Sequence, residues 1–226
     1  MTIISIPRRY ARRQDLALGQ RDFDRLARLD SPQRIQAFLN AIPINHELEG
    51  ETVHSVRNVL RHRRAHCIEG AFVAACALWI NGDPPYVMHL DCELSDYPHV
   101  IALFRRHGAW GAISKTNGVA LRYRDPVYRT LRELALSYFH EYSDKRGRRT
   151  LRSYSGAFDL RRLGVDKWVS ADGDCWEAHD HLAKLHHYPL LQARVVRHLS
   201  RRDPFEQRMA DSVQYPKPKL NGRHVR

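Results

Sequence analysis

The stretch Cys67-Ile68-Glu69-Gly70-Ala71-Phe72-Val73-Ala74-Ala75-Cys76-Ala77-Leu78-Trp79-Ile80 constrains the fold more than any other segment. It is long enough for a helix and apolar almost all round, so no face can be left to water and other elements must enclose it. Asn81-Gly82-Asp83-Pro84-Pro85 breaks it, and the pattern then changes to strands over Tyr86 to Leu90, His99 to Arg105, and Ala109 to Ile113. Gly108 at the turn between the last two predicts a hairpin.

Helices flank this centre. Asp30-Ser31-Pro32 supplies a cap and a first-turn proline, Ile35, Phe38, Leu39 and Ile42 follow at helical spacing, and Pro43 ends the run. Thr52 to Arg64 carries Val53, Val56, Val59 and Leu60 on one face and finishes in Arg61-His62-Arg63-Arg64. Asp125-Pro126 is read as the cap of a long helix whose apolar stripe is Leu131, Leu134, Ala135, Tyr138, Phe139 and Tyr142. Asp144 to Arg152 reads as a basic loop, and Trp176 to Leu199 as mostly helical with a pause at Pro189.

Together these elements predict an α+β fold with flanking helices. With 226 residues, 43% of them hydrophobic, the chain can fill one core, because single cores grow to about 250 residues before chains split. The expected organisation is one domain over 1–213, with its core at about 31–142 and a C-terminal helical part at about 143–213. A basic, proline-containing tail, 214–226, is expected to be disordered.

Several function classes are disfavoured. The opening MTIISIPRRYARR has no continuous apolar run of the secretory type, and no stretch approaches the roughly 20 apolar residues of a membrane span. A cytoplasmic location without membrane partners is expected. The cysteines, Cys67, Cys76, Cys92 and Cys175, are too few and too irregular for a disulfide scaffold, so reduced thiols are expected. The formal charge of +12 would allow weak, non-specific nucleic-acid binding, but the arginines are scattered and form no recognition motif. Cys175, His179, His181, His186 and His187 cluster near the C-terminus at spacings that match no zinc module, and neither metal nor cofactor is expected.

The chemistry concentrates at Cys67. A thiol loses its proton more readily at a helix N-terminus beside positive charge, and Cys67 opens the enclosed helix after Arg63, Arg64 and His66. Gly70 permits close approach in the first turn, and Glu69 falls where the dipole favours a carboxylate, as a cap or an arginine's partner. A base is also needed, and His99 begins a strand that is apolar on both faces, so it emerges at the end of the sheet. A third group must orient the imidazole. A two-residue turn at His107 and Gly108 sets His99 opposite Thr116, with Ser114 diagonal on the same face. A three-residue loop sets His99 opposite Lys115 and makes Asn117 the diagonal neighbour.

This order of parts resembles the transglutaminase-like superfamily, whose papain-like core runs Cys on a central helix, His on a strand and Asp on the next. The matching residues are His66-Cys67-Ile68-Glu69-Gly70-Ala71, then His99-Val100-Ile101-Ala102-Leu103-Phe104, then Gly108-Ala109-Trp110-Gly111-Ala112-Ile113-Ser114. The resemblance implies a Cys-bearing helix packed on an antiparallel sheet, and acyl transfer in which Cys67 attacks an amide or ester carbonyl of a peptide, protein or small amide. His99 would handle the proton and backbone N–H groups at the helix start would hold the oxyanion. Where the family has Asp, this chain has Ser114, with Asn117 three residues on; Asp96 and Asp125 are other carboxylates nearby. Two alternatives stand beside the enzyme: a degenerate member of the superfamily serving as a binding module, and a basic nucleic-acid-binding protein.

Overall fold

A computed structural model describes residues 10–218. The opening residues 1–9 and the end of the tail, 219–226, lie outside the described residues.

The described residues open with α1 (Arg13–Leu16), α2 (Gln20–Ala27), α3 (Pro32–Ala41) and α4 (Val56–His62), followed by α5 (Cys67–Ile80). Ser31 and Ser55 cap α3 and α4, accepting from Arg34 N at 3.3 Å and Asn58 N at 3.2 Å. Strands β1 (Tyr86–Cys92), β2 (His99–Arg106), β3 (Ala109–Ile113) and β4 (Arg124–Tyr128) lead to α6 (Leu131–Leu136). The remainder supplies β5 (Leu151–Ser155), β6 (Phe158–Asp159), α7 (Trp176–Ala183), β7 (His187–Pro189), α8 (Ala193–Val196) and α9 (Pro204–Ala210).

All sheet pairings are antiparallel, in the order β4-β3-β2-β1-β5-β7 with β6 beside β1. The sheet is buried on both faces, which explains why β2 is apolar from Val100 to Phe104. Val87, Val100, Ala102, Phe104 and Ile113 pack with α5 and the N-terminal helices. Met88, Leu90, Ile101, Leu103 and Ala112 pack with Leu134, Ala135, Tyr138, Phe139 and Tyr142 on the other face. The structure is therefore α+β, with α5 enclosed between the sheet, the other N-terminal helices and the buried Trp168, whose ring lies 6.2 Å from Trp79 and 6.0 Å from Phe72.

The β2–β3 hairpin has the two-residue register, with Arg106 opposite Ala109 and Ala102 opposite Ile113. His107 and Gly108 both take positive φ, 47° and 83°, the geometry that matches a two-residue turn to strand twist.

Three expectations need correction. Asp125-Pro126 does not cap a helix but lies inside β4, where Pro126 is tolerated because β4 is an edge strand with a register shift. The helix starts later, at Thr130, whose Oγ1 accepts from Glu133 N at 3.1 Å while Glu133 accepts from Arg129 N at 2.7 Å, and it is short. The C-terminal part is not mostly helical: residues 151–155 and 187–189 add strands β5 and β7 to the sheet. Gln214 and Tyr215, expected in a loose tail, are tied down, since Tyr215 N donates to Asn117 Oδ1 at 2.9 Å and Tyr215 OH to Asn40 O at 2.6 Å. Side-chain amides here satisfy an extended backbone, a partnership that composition does not reveal.

Candidate functional site

Cys67 is the first residue of α5 and is half-buried at the helix tip. His99, opposite Leu90 in the sheet, begins β2 and is buried. Its Nε2 lies 2.7 Å from Ser114 Oγ. Ser114 Oγ in turn donates to Leu121 O, so it has only a lone pair to offer the ring and Nε2 carries the proton. His99 Nδ1 is then the nitrogen left for the sulfur, and the His99 ring acts on the Cys67 thiol from the sheet. The register that pairs Arg106 with Ala109 places Ser114, rather than Asn117, on the His99 face.

Asn117 does not join this group. Its Nδ2 donates to Tyr215 O and its Oδ1 accepts from Tyr215 N, both at 2.9 Å, so the whole amide holds the C-terminal segment. Asp96 is also committed elsewhere, with Oδ2 on Thr150 Oγ1 and Oδ1 on Tyr97 N.

A residue that sequence reasoning passed over fixes Ser114. Gln36 of α3 grips its backbone from both sides, with Nε2 donating to Ser114 O at 2.8 Å and Oε1 accepting from Ser114 N at 2.9 Å. The next residue, Lys115, points to the α5 side: its buried Nζ donates to Leu39 O at 2.9 Å and to Ile42 O, the carbonyls ending α3. Burial pushes the Lys115 ammonium down to about 8. Gly70 makes room for this strand, because a Cβ there would stand 2.4 Å from Lys115 Cβ.

Around the sulfur lies a network larger than the expected triad. His66 Nδ1 is 4.0 Å from Cys67 Sγ, and its Nε2 is 2.8 Å from Thr52 O and 3.3 Å from Glu69 Oε1. Glu69 is fully buried and, among the described residues, partners no arginine. It accepts from His66 N at 2.8 Å, which closes the helix cap, and also from His54 N, Thr52 Oγ1 and Asn45 Nδ2. Burial opposes its charge, but the His66 hydrogen bond and the backbone donors overcome this and hold the carboxyl down to about 2. Burial likewise opposes charge on His66, and the hydrogen bonds to Cys67 and Glu69 raise it to about 11. For Cys67 burial pushes the thiol up, yet hydrogen bonding from His66 and His99 and their charge bring it well below the ordinary value. The other three cysteines go the opposite way, Cys76 being raised by burial alone. The pattern His-Cys-x-Glu was the available clue; the ring's orientation depends on Asn45, Thr52 and His54 from a separate segment.

A cavity of about 220 Å³ is lined by Thr116, Leu121, Asp96, Tyr142, Ser143 and others, and touches the site only through Leu121, whose carbonyl accepts from Ser114. The Tyr142 hydroxyl is buried without a hydrogen-bond partner among the described residues, and burial pushes it well above its ordinary value. The C-terminal histidines do not gather: His187 bonds His89 at 2.8 Å, His181 lies against Phe158, and His186 against Tyr188. Among the described residues, no group of three or more His, Cys, Asp or Glu side chains could hold a metal ion, and no helix is long and apolar enough to cross a membrane.

Compared with protein-family models and with curated proteins, the chain matches none.

Proposed function

We propose that this protein is a thiol-dependent acyl-transfer enzyme built on a transglutaminase-like, papain-like core, with Cys67 as nucleophile and His99 as base. The observation that carries the reading is the run His99–Ser114–Leu121 beside Cys67, in which a backbone carbonyl fixes the serine rotor and the serine fixes the imidazole tautomer. A helix N-terminus supports the thiolate and offers N–H groups to an oxyanion. The sulfur attacks the acyl carbonyl, the leaving group departs, and His99 Nδ1 takes the proton of the acceptor that resolves the acyl-enzyme.

The test is a stopped-flow reaction with 4-nitrophenyl acetate. A stoichiometric nitrophenolate burst that disappears in Cys67→Ser, with an acetyl adduct mapped to Cys67, supports the reading; no burst from the wild-type protein refutes it.

The second reading is a degenerate member of the same superfamily acting as a binding module. It is favoured by Ser114 standing where the resemblance calls for Asp, because a hydroxyl orients an imidazole without stabilising its charge. A Cys67 that alkylates readily but never forms an acyl adduct would select it.

A further inference from the structure

The carboxylate absent beside His99 is present on the other side of the sulfur. His66 Nε2 faces only oxygens: Thr52 O at 2.8 Å, Glu69 Oε1 at 3.3 Å and Glu47 Oε1 at 3.7 Å. It therefore carries a proton. Glu69, with no exposure, is kept ionised by Asn45, Thr52 and the N–H groups of His54 and His66, and a buried carboxylate requires a facing cation. His66 meets it directly, which leaves its Nδ1–H directed at Cys67 Sγ, 4.0 Å away. The other titratable groups at this cluster are His54, whose Nδ1 is 3.3 Å from Glu69 Oε1, and His62, whose ring lies 5.1 Å from His54. His99 acts on the sulfur from the sheet.

We propose that His66 is a fixed imidazolium that keeps Cys67 a thiolate whatever the protonation of His99, and that the site consequently acts on thioesters in preference to amides. The proposal rests on the acyl-transfer reading above. Its logic is proton bookkeeping. An amide's amine must be protonated as it leaves, and a strongly stabilised Cys67 thiolate is the better leaving group from the same tetrahedral intermediate, so the adduct collapses backwards. His66 is a poor donor because the paired carboxylate retains its proton. A thioester needs no donor: the Cys67 S–C bond forms, the C–S bond of the substrate breaks, and the electron pair leaves on the departing thiolate. His99 Nδ1 then accepts the proton of an amine or water as it attacks the acyl-enzyme. The C–S bond to Cys67 breaks, its electron pair returns to the sulfur, and His99 releases its proton to solvent.

Two measurements on the full-length protein test this. The first is the pH profile of Cys67 alkylation by iodoacetamide. His99→Ala should retain rapid labelling at about pH 6, whereas His66→Gln should slow it about tenfold or more at that pH; the reverse ranking overturns the role of His66. The second needs no variant: the wild-type protein is incubated with S-acetyl-N-acetylcysteamine or with 4-nitroacetanilide and its intact mass followed. Acetylation of Cys67 by the thioester at least a hundredfold faster than by the anilide, relative to the reaction of each with a free thiol such as glutathione, supports the proposal. Equal relative rates overturn it while leaving acyl transfer standing, and no adduct from either donor overturns both.

Discussion

Gly70→Ala separates two opposing effects, and the structure decides which prevails. In a helix interior, Ala is favoured over Gly by about 1 kcal/mol, so on local grounds the substitution should stabilise α5. The added Cβ, however, would stand 2.4 Å from Lys115 Cβ and 3.0 Å from its Cγ. The nearest atom is one bond from the backbone, so no rotation of the lysine relieves the overlap. Nor can the segment move away freely: Lys115 Nζ is bonded to Leu39 O and Ile42 O, Gln36 holds the Ser114 peptide, and β3 is paired along β2. Overpacking of this kind costs about 1–3 kcal/mol. The net expectation is destabilisation by up to about 2 kcal/mol, measured as a lower urea midpoint at unchanged slope. Because the displaced segment carries Ser114, iodoacetamide labelling of Cys67 should slow as well. A Gly70→Ala protein more stable than wild type by about 1 kcal/mol would show that α5 and the strand have slack between them, and would refute the argument that this glycine sets their separation.

Ser114→Ala should lower acyl transfer about ten- to a hundredfold at little change in substrate affinity, because His99 loses the partner that fixes its tautomer; unchanged kcat would remove Ser114 from the mechanism. His89 is buried against His187 and its imidazole is pushed down to about 4, by burial first and then by the charge of His187. Below about pH 6.5 the unfolded chain binds the proton that folded His89 refuses. Stability should thus be complete above that pH and fall by up to about 3 kcal/mol as pH drops towards 4, a slope that His89→Gln should flatten in urea titrations. Asn117→Ala should release the segment around Tyr215, raising hydrogen exchange at the Tyr215 amide while the global urea midpoint shifts by no more than about 1 kcal/mol; retained protection would mean that Asn40 alone holds it.

How far the sequence could be read depended on whether a feature was local or long-range. The α5 helix was readable because a segment apolar on every face has no alternative to enclosure, and Ala109–Ile113 because a glycine at the turn punctuated two apolar runs. Asp125-Pro126 misled because a cap followed by proline has the same local chemistry as an edge strand, and only the pairing of Trp110 with Tyr128 and Ala112 with Arg124 decides between them. The choice between Ser114 and Asn117 turned on one residue of register, settled by His107 taking positive φ, which a non-glycine residue gives little warning of. The least readable part was also the most consequential. Histidine 66 precedes the cysteine in the chain and could be counted only as nearby positive charge; what fixes its proton is a carboxylate three residues later held by Asn45, Thr52 and His54, which are distant in sequence. A search for an Asp beside His99 therefore finds a gap, whereas the structure places the buried carboxylate on the opposite imidazole, and the charge on the sulfur's surroundings is governed from there.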